Sequence, residues 1–234
     1  MKKNINICYI DDRLDRDVVR YLDHLCIFLN KQVSGQESTN SVQEFYDIQK
    51  LDNEVTKFFK NKGIYSDYEF KYNGYRFEKE DDYKSLLNNE LISNANIIVI
   101  DSRLFENENS YLSKFTGEQF KIILRQVLPF IKTIVISQNG GKEDSLTVEK
   151  WKGEISSKEH YHKQLLPKLI SYILSTIEEH KILHQLTEEN EVDEFLIGTI
   201  HNTIAGIVDT ALFEKRDLDE LIKLFKEVKD SYGK

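Results

Sequence analysis

Proline is nearly absent, with 2 in 234 residues, and glycine numbers only 10. That excludes Pro-rich repeats and long flexible Gly-rich linkers. The two cysteines, Cys8 and Cys26, are too few for a disulfide framework or a thiolate zinc site. Each falls in an apolar run and reads as a buried free thiol, which fits a reducing compartment. No stretch approaches the ~20 apolar residues of a membrane span. The N-terminal MKKNINICYIDD has two lysines, but its apolar run is short and stops at two aspartates, so it is not read as a signal peptide. The expected location is the cytoplasm. Cations are also in deficit: 32 Lys plus Arg face 40 Asp plus Glu, a formal charge of -8. Broad binding to nucleic acid or an anionic membrane needs clustered cations and is disfavoured.

What is present is an ordinary globular composition, 40% hydrophobic and 31% charged. Ile5–Ile10 is a short apolar run ending in Asp11-Asp12 and reads as a strand buried on both faces. Val18, Val19, Leu22, Leu25, Cys26 and Leu29 then recur at helical spacing. Residues 31–62 are more polar, and the second half has the spacing of an added helix. Residues 68–77, YEFKYNGYRF, alternate aromatic and polar around Asn73-Gly74. They form either a hairpin or one strand followed by a glycine loop. A short helix is expected over 83–91.

Ile97–Ile100, ending at Asp101, is the most apolar run and the best central strand. Thr116-Gly117-Glu118 opens a helix that runs to Leu128, and Pro129 ends it. Residues 133–136 are a β-branched strand ending at Ser137. A short helix is expected over 146–151 and a brief edge strand over 154–156, just before Lys158. From Tyr161 the pattern is helical: one long helix to about Leu186, then helices over about 192–213 and 218–228. Alternating strands and helices predict a doubly wound parallel sheet in residues 1–160, with an all-α helical extension over 161–234.

In such a sheet, ligands bind outside the carboxyl ends of the strands. Those ends carry Asp11, Asp12, Asp101, Ser137 and Lys158. Clustered carboxylates repel unless a cation joins them, and Mg²⁺ takes hard oxygen ligands. Bound there, it offsets the charge of an incoming phosphoryl group. Asp101 then acts as nucleophile and forms an aspartyl phosphate. Ser137 and Lys158 would contact phosphoryl oxygens. A single aspartate that closes a strand is ordinarily just a loop residue. Five fitting residue types at successive strand ends call for a common reason.

These stretches resemble the receiver domain of bacterial two-component response regulators over roughly residues 3–175. ICYIDD is similar to the family's first strand with its acidic pair. IIVIDSRLF is similar to the strand carrying the phosphoacceptor. TGEQFKIILRQVLPFIKTIVIS is similar to the next helix and strand with its terminal hydroxyl. Lys158 lies 21 residues beyond Ser137, near the family's spacing. The resemblance implies a flavodoxin-like five-stranded sheet and phosphorylation of Asp101 by a histidine kinase or phosphotransfer protein. It implies Mg²⁺ held by Asp11, Asp12, Asp101 and the backbone carbonyl of Arg103, with Ser137 and Lys158 reading the phosphoryl group. The chain departs from the pattern at several places. Residues 31–66 are read as an insertion. Ile155 stands where the family carries an aromatic switch residue, Glu159 follows the lysine in place of proline, and Gln138 replaces a small residue.

Beyond the sheet, Leu166, Ile170, Ile173, Ile177, His180 and His184 form a heptad seam. It suits a homodimer through the C-terminal helices or packing within the monomer. Residues 160–234 hold 9 Lys/Arg against 14 Asp/Glu, and no DNA-binding module is evident. His180, His184 and Glu188 have helical zinc-ligand spacing, although histidines in a heptad are more often packing residues. His201, followed by Asn202, faintly resembles a phosphotransfer histidine; the ordinary reading is an interface residue. Two other functions compete with the receiver. One is a pseudo-receiver that binds without phosphate, favoured by Ile155 and Gln138. The other is an Mg²⁺-dependent phosphoesterase or nuclease, opposed by the lack of a His or Glu base at a strand end.

Overall fold

A computed structural model of the chain describes residues 2–35, 53–78, 81, 83–104, 116–138 and 147–190. Five parallel strands form one sheet: β1 (Lys3–Asp11), β2 (Tyr68–Arg76), β3 (Ile97–Asp101), β4 (Lys132–Ser137) and β5 (Thr147–Glu149). Their order is β2-β1-β3-β4-β5, that of the doubly wound, flavodoxin-like sheet. The helices are α1 (Arg16–Val33), α2 (Asn53–Lys60), α3 (Tyr83–Leu87), α4 (Glu90–Ser93), α5 (Gly117–Val127), α6 (Ser157–Gln164) and α7 (Leu166–Asn190). A 3₁₀ turn spans Lys62–Tyr65.

The central strands are largely apolar because both of their faces are covered. Ile5, Ile7, Tyr9, Ile97, Val99, Ile134, Ile136 and Val148 pack with α1, α2, α6 and α7. Cys8, Ile10, Ile98, Ile100 and Val135 pack with Leu86, Ile92, Phe120 and Leu124 from α3, α4 and α5. Both cysteines are buried free thiols. The helix starts are capped as their sequences indicate. Asp15 caps α1, Thr116 and Gln119 form a reciprocal capping box on α5, and Ser156 caps α6.

Several expectations are corrected. Residues 68–76 are one strand, not a hairpin: every residue from Tyr68 to Arg76 pairs with β1 in parallel register. Asn73-Gly74 does not turn. A Cβ on Gly74 would lie 2.9 Å from the Tyr72 hydroxyl, so this glycine admits the tyrosine ring along the strand. The expected helix over 146–151 is instead β5, and residues 154–156 are an exposed bend. The expected long helix is two, α6 and α7. Pro167 has no N–H with which to continue α6 but is tolerated in the first turn of α7.

The heptad stripe is used within the chain. Leu166, Leu169, Ile170, Ile173 and Ile177 are all 0–2% exposed and belong to the core under β1, β3 and β4. A boundary at residue 160 therefore falls inside the packed α/β body, and these apolar positions are not available to a second helix. The stretch read as an insertion also joins the core: Val55, Phe58, Phe59 and Tyr65 are buried beside Phe28 and Phe70. His180 stacks on Tyr68 with 5.9 Å between ring centroids, while the side chains of His184 and Glu188 lie outside the described residues. So do His201 and the two helices expected after residue 191.

If the α7 stripe belongs to the sheet's core, Ile173→Ala should cost about 2–5 kcal/mol of stability. Denaturant unfolding at two protein concentrations checks this; a loss below 1 kcal/mol, or one that scales with concentration, would point to a helix pairing outside the body.

Candidate functional site

The topology brings the carboxyl ends of β1 and β3 side by side, at the point where the strand order reverses. A cavity of about 370 Å³ opens there. Its floor is Asp11, Asp12, Asp15, Asp101 and Lys150, and exposed Arg13, Arg16, Arg103 and Gln138 stand around the mouth. Of the residues singled out from the sequence, Asp11, Asp12, Asp101 and Arg103 meet here. Ser137 closes β4 one residue before Gln138, and its carbonyl accepts from the Lys150 amide at 2.8 Å.

The lysine is the main correction. Lys150, immediately after β5, places its Nζ 2.6 Å from Asp101 Oδ2 and 3.7 Å from Asp15 Oδ2. Lys158 sits in the first turn of α6, outside the cavity lining. Family spacing from Ser137 misleads because only nine residues separate β4 from β5. The available signal was the β-branched pair Thr147-Val148 with Lys150 two residues further on.

Backbone geometry fixes each carboxylate. Asp101 Oδ1 accepts from the Arg103 amide at 2.9 Å. Asp11 accepts from the Tyr9 hydroxyl and from the amides of Arg13 (3.3 Å) and Asp15 (3.1 Å). Those two amides bracket Leu14, which adopts φ 49°, a strained conformation for a bulky residue. Asp11 thus holds the loop that carries it. The Asp101 end of β3 is set by α5. A Cβ on Gly117 would lie 2.4 Å from the Asp101 carbonyl oxygen, and the Gly117 amide donates to Ser102 O at 3.1 Å.

Electrostatics follow from crowding. Burial pushes the Asp101 carboxyl up, against the opposing pull of Lys150 and the Arg103 amide. Burial pushes Lys150 the other way, but its bond to Asp101 and the charges of Asp11 and Asp15 win and hold it above its usual value. Asp11 and Asp12 are pushed in opposite directions. Burial opposes ionisation of Asp11, yet hydrogen bonds from Asp12, Tyr9 and the Asp15 amide bring it below the ordinary range. Asp12 is pushed up to about 6 by burial, by its hydrogen bond to Asp11 and by that neighbour's charge.

Among the described residues, no three His, Cys, Asp or Glu side chains converge as a ready-made metal cage. The donor set fits a different kind of cation. Mg²⁺ keeps several of its waters and needs only one or two carboxylates. Half-buried Asp12, crowded by Asp11, is a carboxylate whose ionisation such a cation would favour. Asp11 and Asp101 are the neighbouring carboxylates.

Comparison of the chain with protein-family models, with curated proteins and with solved structures gives no match. No helix among the described residues is long and apolar enough to cross a membrane.

Two expectations follow. Gly→Ala inside a helix normally stabilises by roughly 0.5–1 kcal/mol. Gly117→Ala should instead destabilise by about 1–3 kcal/mol, because its obstacle is backbone that cannot rotate away; a thermal melt that rises would refute the close approach. For Asp12, a native value raised above 3.8 means the folded protein holds the proton more tightly than the unfolded chain. That stability is fully present below pH 4 and is lost as pH rises through about 6. In metal-free protein, Asp12→Asn should therefore raise Tm at pH 8 and leave it unchanged at pH 4. Equal Tm shifts at both pH values would contradict the crowding.

Proposed function

We propose that the chain is a receiver-type signalling protein that accepts a phosphoryl group on Asp101. The observation that carries this reading is the Lys150–Asp101 contact of 2.6 Å, set beside the Asp11–Asp12 pair at the switch point of the sheet. A buried carboxylate joined to one ammonium, with further carboxylates alongside, is a nucleophile with its charge-neutralising partners in place.

The step is an in-line displacement. An Asp101 carboxylate oxygen attacks the phosphorus of a phosphohistidine on a histidine kinase or phosphotransfer protein. A P–O bond forms and the P–N bond breaks; the leaving ring nitrogen keeps the electron pair, and the proton carried by the other ring nitrogen makes the departing imidazole neutral. Lys150 pairs with a phosphoryl oxygen as charge moves outward from the carboxylate. The Arg103 amide keeps the other carboxylate oxygen aimed. Asp11, Asp12, Asp101 and the Arg103 carbonyl would hold Mg²⁺, and the ion would supply positive charge against the phosphoryl oxygens. Ser137, at the end of the neighbouring strand, would donate a hydrogen bond to one of them.

The reading is tested by incubating the full chain with Mg²⁺ and a small acyl phosphate, with intact mass as the readout. One phosphoryl group should add to the wild type and none to Asp101→Asn. Lys150→Gln should slow addition by about 10²–10³-fold, the usual cost of removing one charge-stabilising group. If no adduct forms at any Mg²⁺ concentration, the fold serves phosphate-independent binding instead.

A further inference from the structure

The lysine that holds Asp101 is the last residue before an exposed turn. Its own backbone cannot yield, because the Lys150 amide is bonded to Ser137 O at 2.8 Å and so belongs to the sheet. The next residue, Trp151, is the chain's single tryptophan. Its indole Nε1 donates to the Ile155 carbonyl at 2.6 Å, which closes a five-residue loop on itself. Its ring is half-buried against the core that contains Tyr161, and the Tyr161 hydroxyl accepts from its amide at 3.5 Å. Between the two ends of this clasp, Lys152, Gly153 and Glu154 are exposed, Gly153 takes φ +93°, and Ile155 is 39% exposed. The clasp leads straight into Ser156, the cap of α6, and into Ser157, whose hydroxyl donates to Asp17 on α1 at 2.8 Å.

This arrangement puts an exposed turn directly after the lysine that contacts the site. A phosphoryl group on Asp101 moves negative charge outward, and the Lys150 ammonium must follow it or fall back on Asp15, 3.7 Å away. Strand β5 is fixed by its ladder to β4, so the displacement passes to Trp151. We propose that the turn from Lys150 to Ser156 carries the state of Asp101 to the surface, with the Trp151 indole releasing the Ile155 carbonyl when Lys150 follows charge onto the acyl phosphate. The inference rests on the phosphoryl-accepting reading and adds to it a route of output. That route uses no aromatic three residues before the lysine, where this chain has Thr147.

The full chain carries its own reporter. Mg²⁺ and beryllofluoride are added to ¹⁵N-labelled protein, the indole N–H cross-peak and the emission of Trp151 are recorded, and intact mass after acyl phosphate treatment is taken in parallel. Expected are a displaced indole cross-peak and red-shifted emission in the wild type, and neither in Asp101→Asn. Trp151→Phe, which keeps a ring but no donor, should still take up phosphate. Its resting hydrogen exchange over 152–156 should be about tenfold faster than that of the wild type, the worth of one such bond, and phosphorylation should change it no further. A stoichiometric adduct with an unmoved indole signal would overturn the relay and leave the phosphoacceptor intact. Absence of any adduct would overturn both.

Discussion

Four carboxylates and one ammonium meet where β1, β3 and β5 end, and the fold has to hold them together against their repulsion. Two like charges about 4 Å apart repel by roughly 4 kcal/mol at the effective dielectric near a protein surface. The structure answers with directed donors. The Arg103, Arg13 and Asp15 amides, the Tyr9 hydroxyl and Lys150 are each aimed at one oxygen. The residual imbalance falls on Asp12, the carboxyl that rises to about 6. A site left with that excess of negative charge is built to receive positive charge. The proposed pairing of a hydrated cation with an incoming phosphoryl group rests on that excess of negative charge.

Holding such a cluster in place requires strands that do not shift, and this explains where the apolar residues go. β1 and β3 are covered on both faces, and the two cores meet only through the sheet. The helix that looked like an appendage, α7, supplies five buried side chains to one of those cores. Helix α2, from the stretch that looked like an insertion, supplies Val55, Phe58 and Phe59. Both segments therefore contribute to the packed body around the sheet.

Much of this was legible in the chain. Ile97–Ile100 with Asp101, an unbroken β-branched run, and Ile5–Ile10 with Asp11-Asp12, a short and mostly apolar one, both announce buried parallel strands. What was illegible was set by partners distant in sequence. Asn73-Gly74 is a strong turn signal, but pairing with β1 along all nine residues outweighed it. Thr147–Glu149 is too short to show a period and is a strand only because β4 offers it a ladder. The heptad stripe of α7 states that one face must be buried. A sequence does not say whether a sheet or another helix buries it.

The lysine at Asp101 shows how strand spacing decides which side chain arrives. Lys150 comes to the carboxylate from the end of the strand beyond β4, 13 residues past Ser137. In this protein β5 follows β4 after only nine residues, where parallel strands are ordinarily joined by a dozen or more. The ammonium therefore arrives early, at Lys150, on a strand three residues long. So short a strand leaves its terminal residue joined on one side to the sheet and on the other to an exposed turn. The contact that neutralises Asp101 is then one peptide bond from the surface, and a change of charge at the carboxylate has no intervening element in which to dissipate.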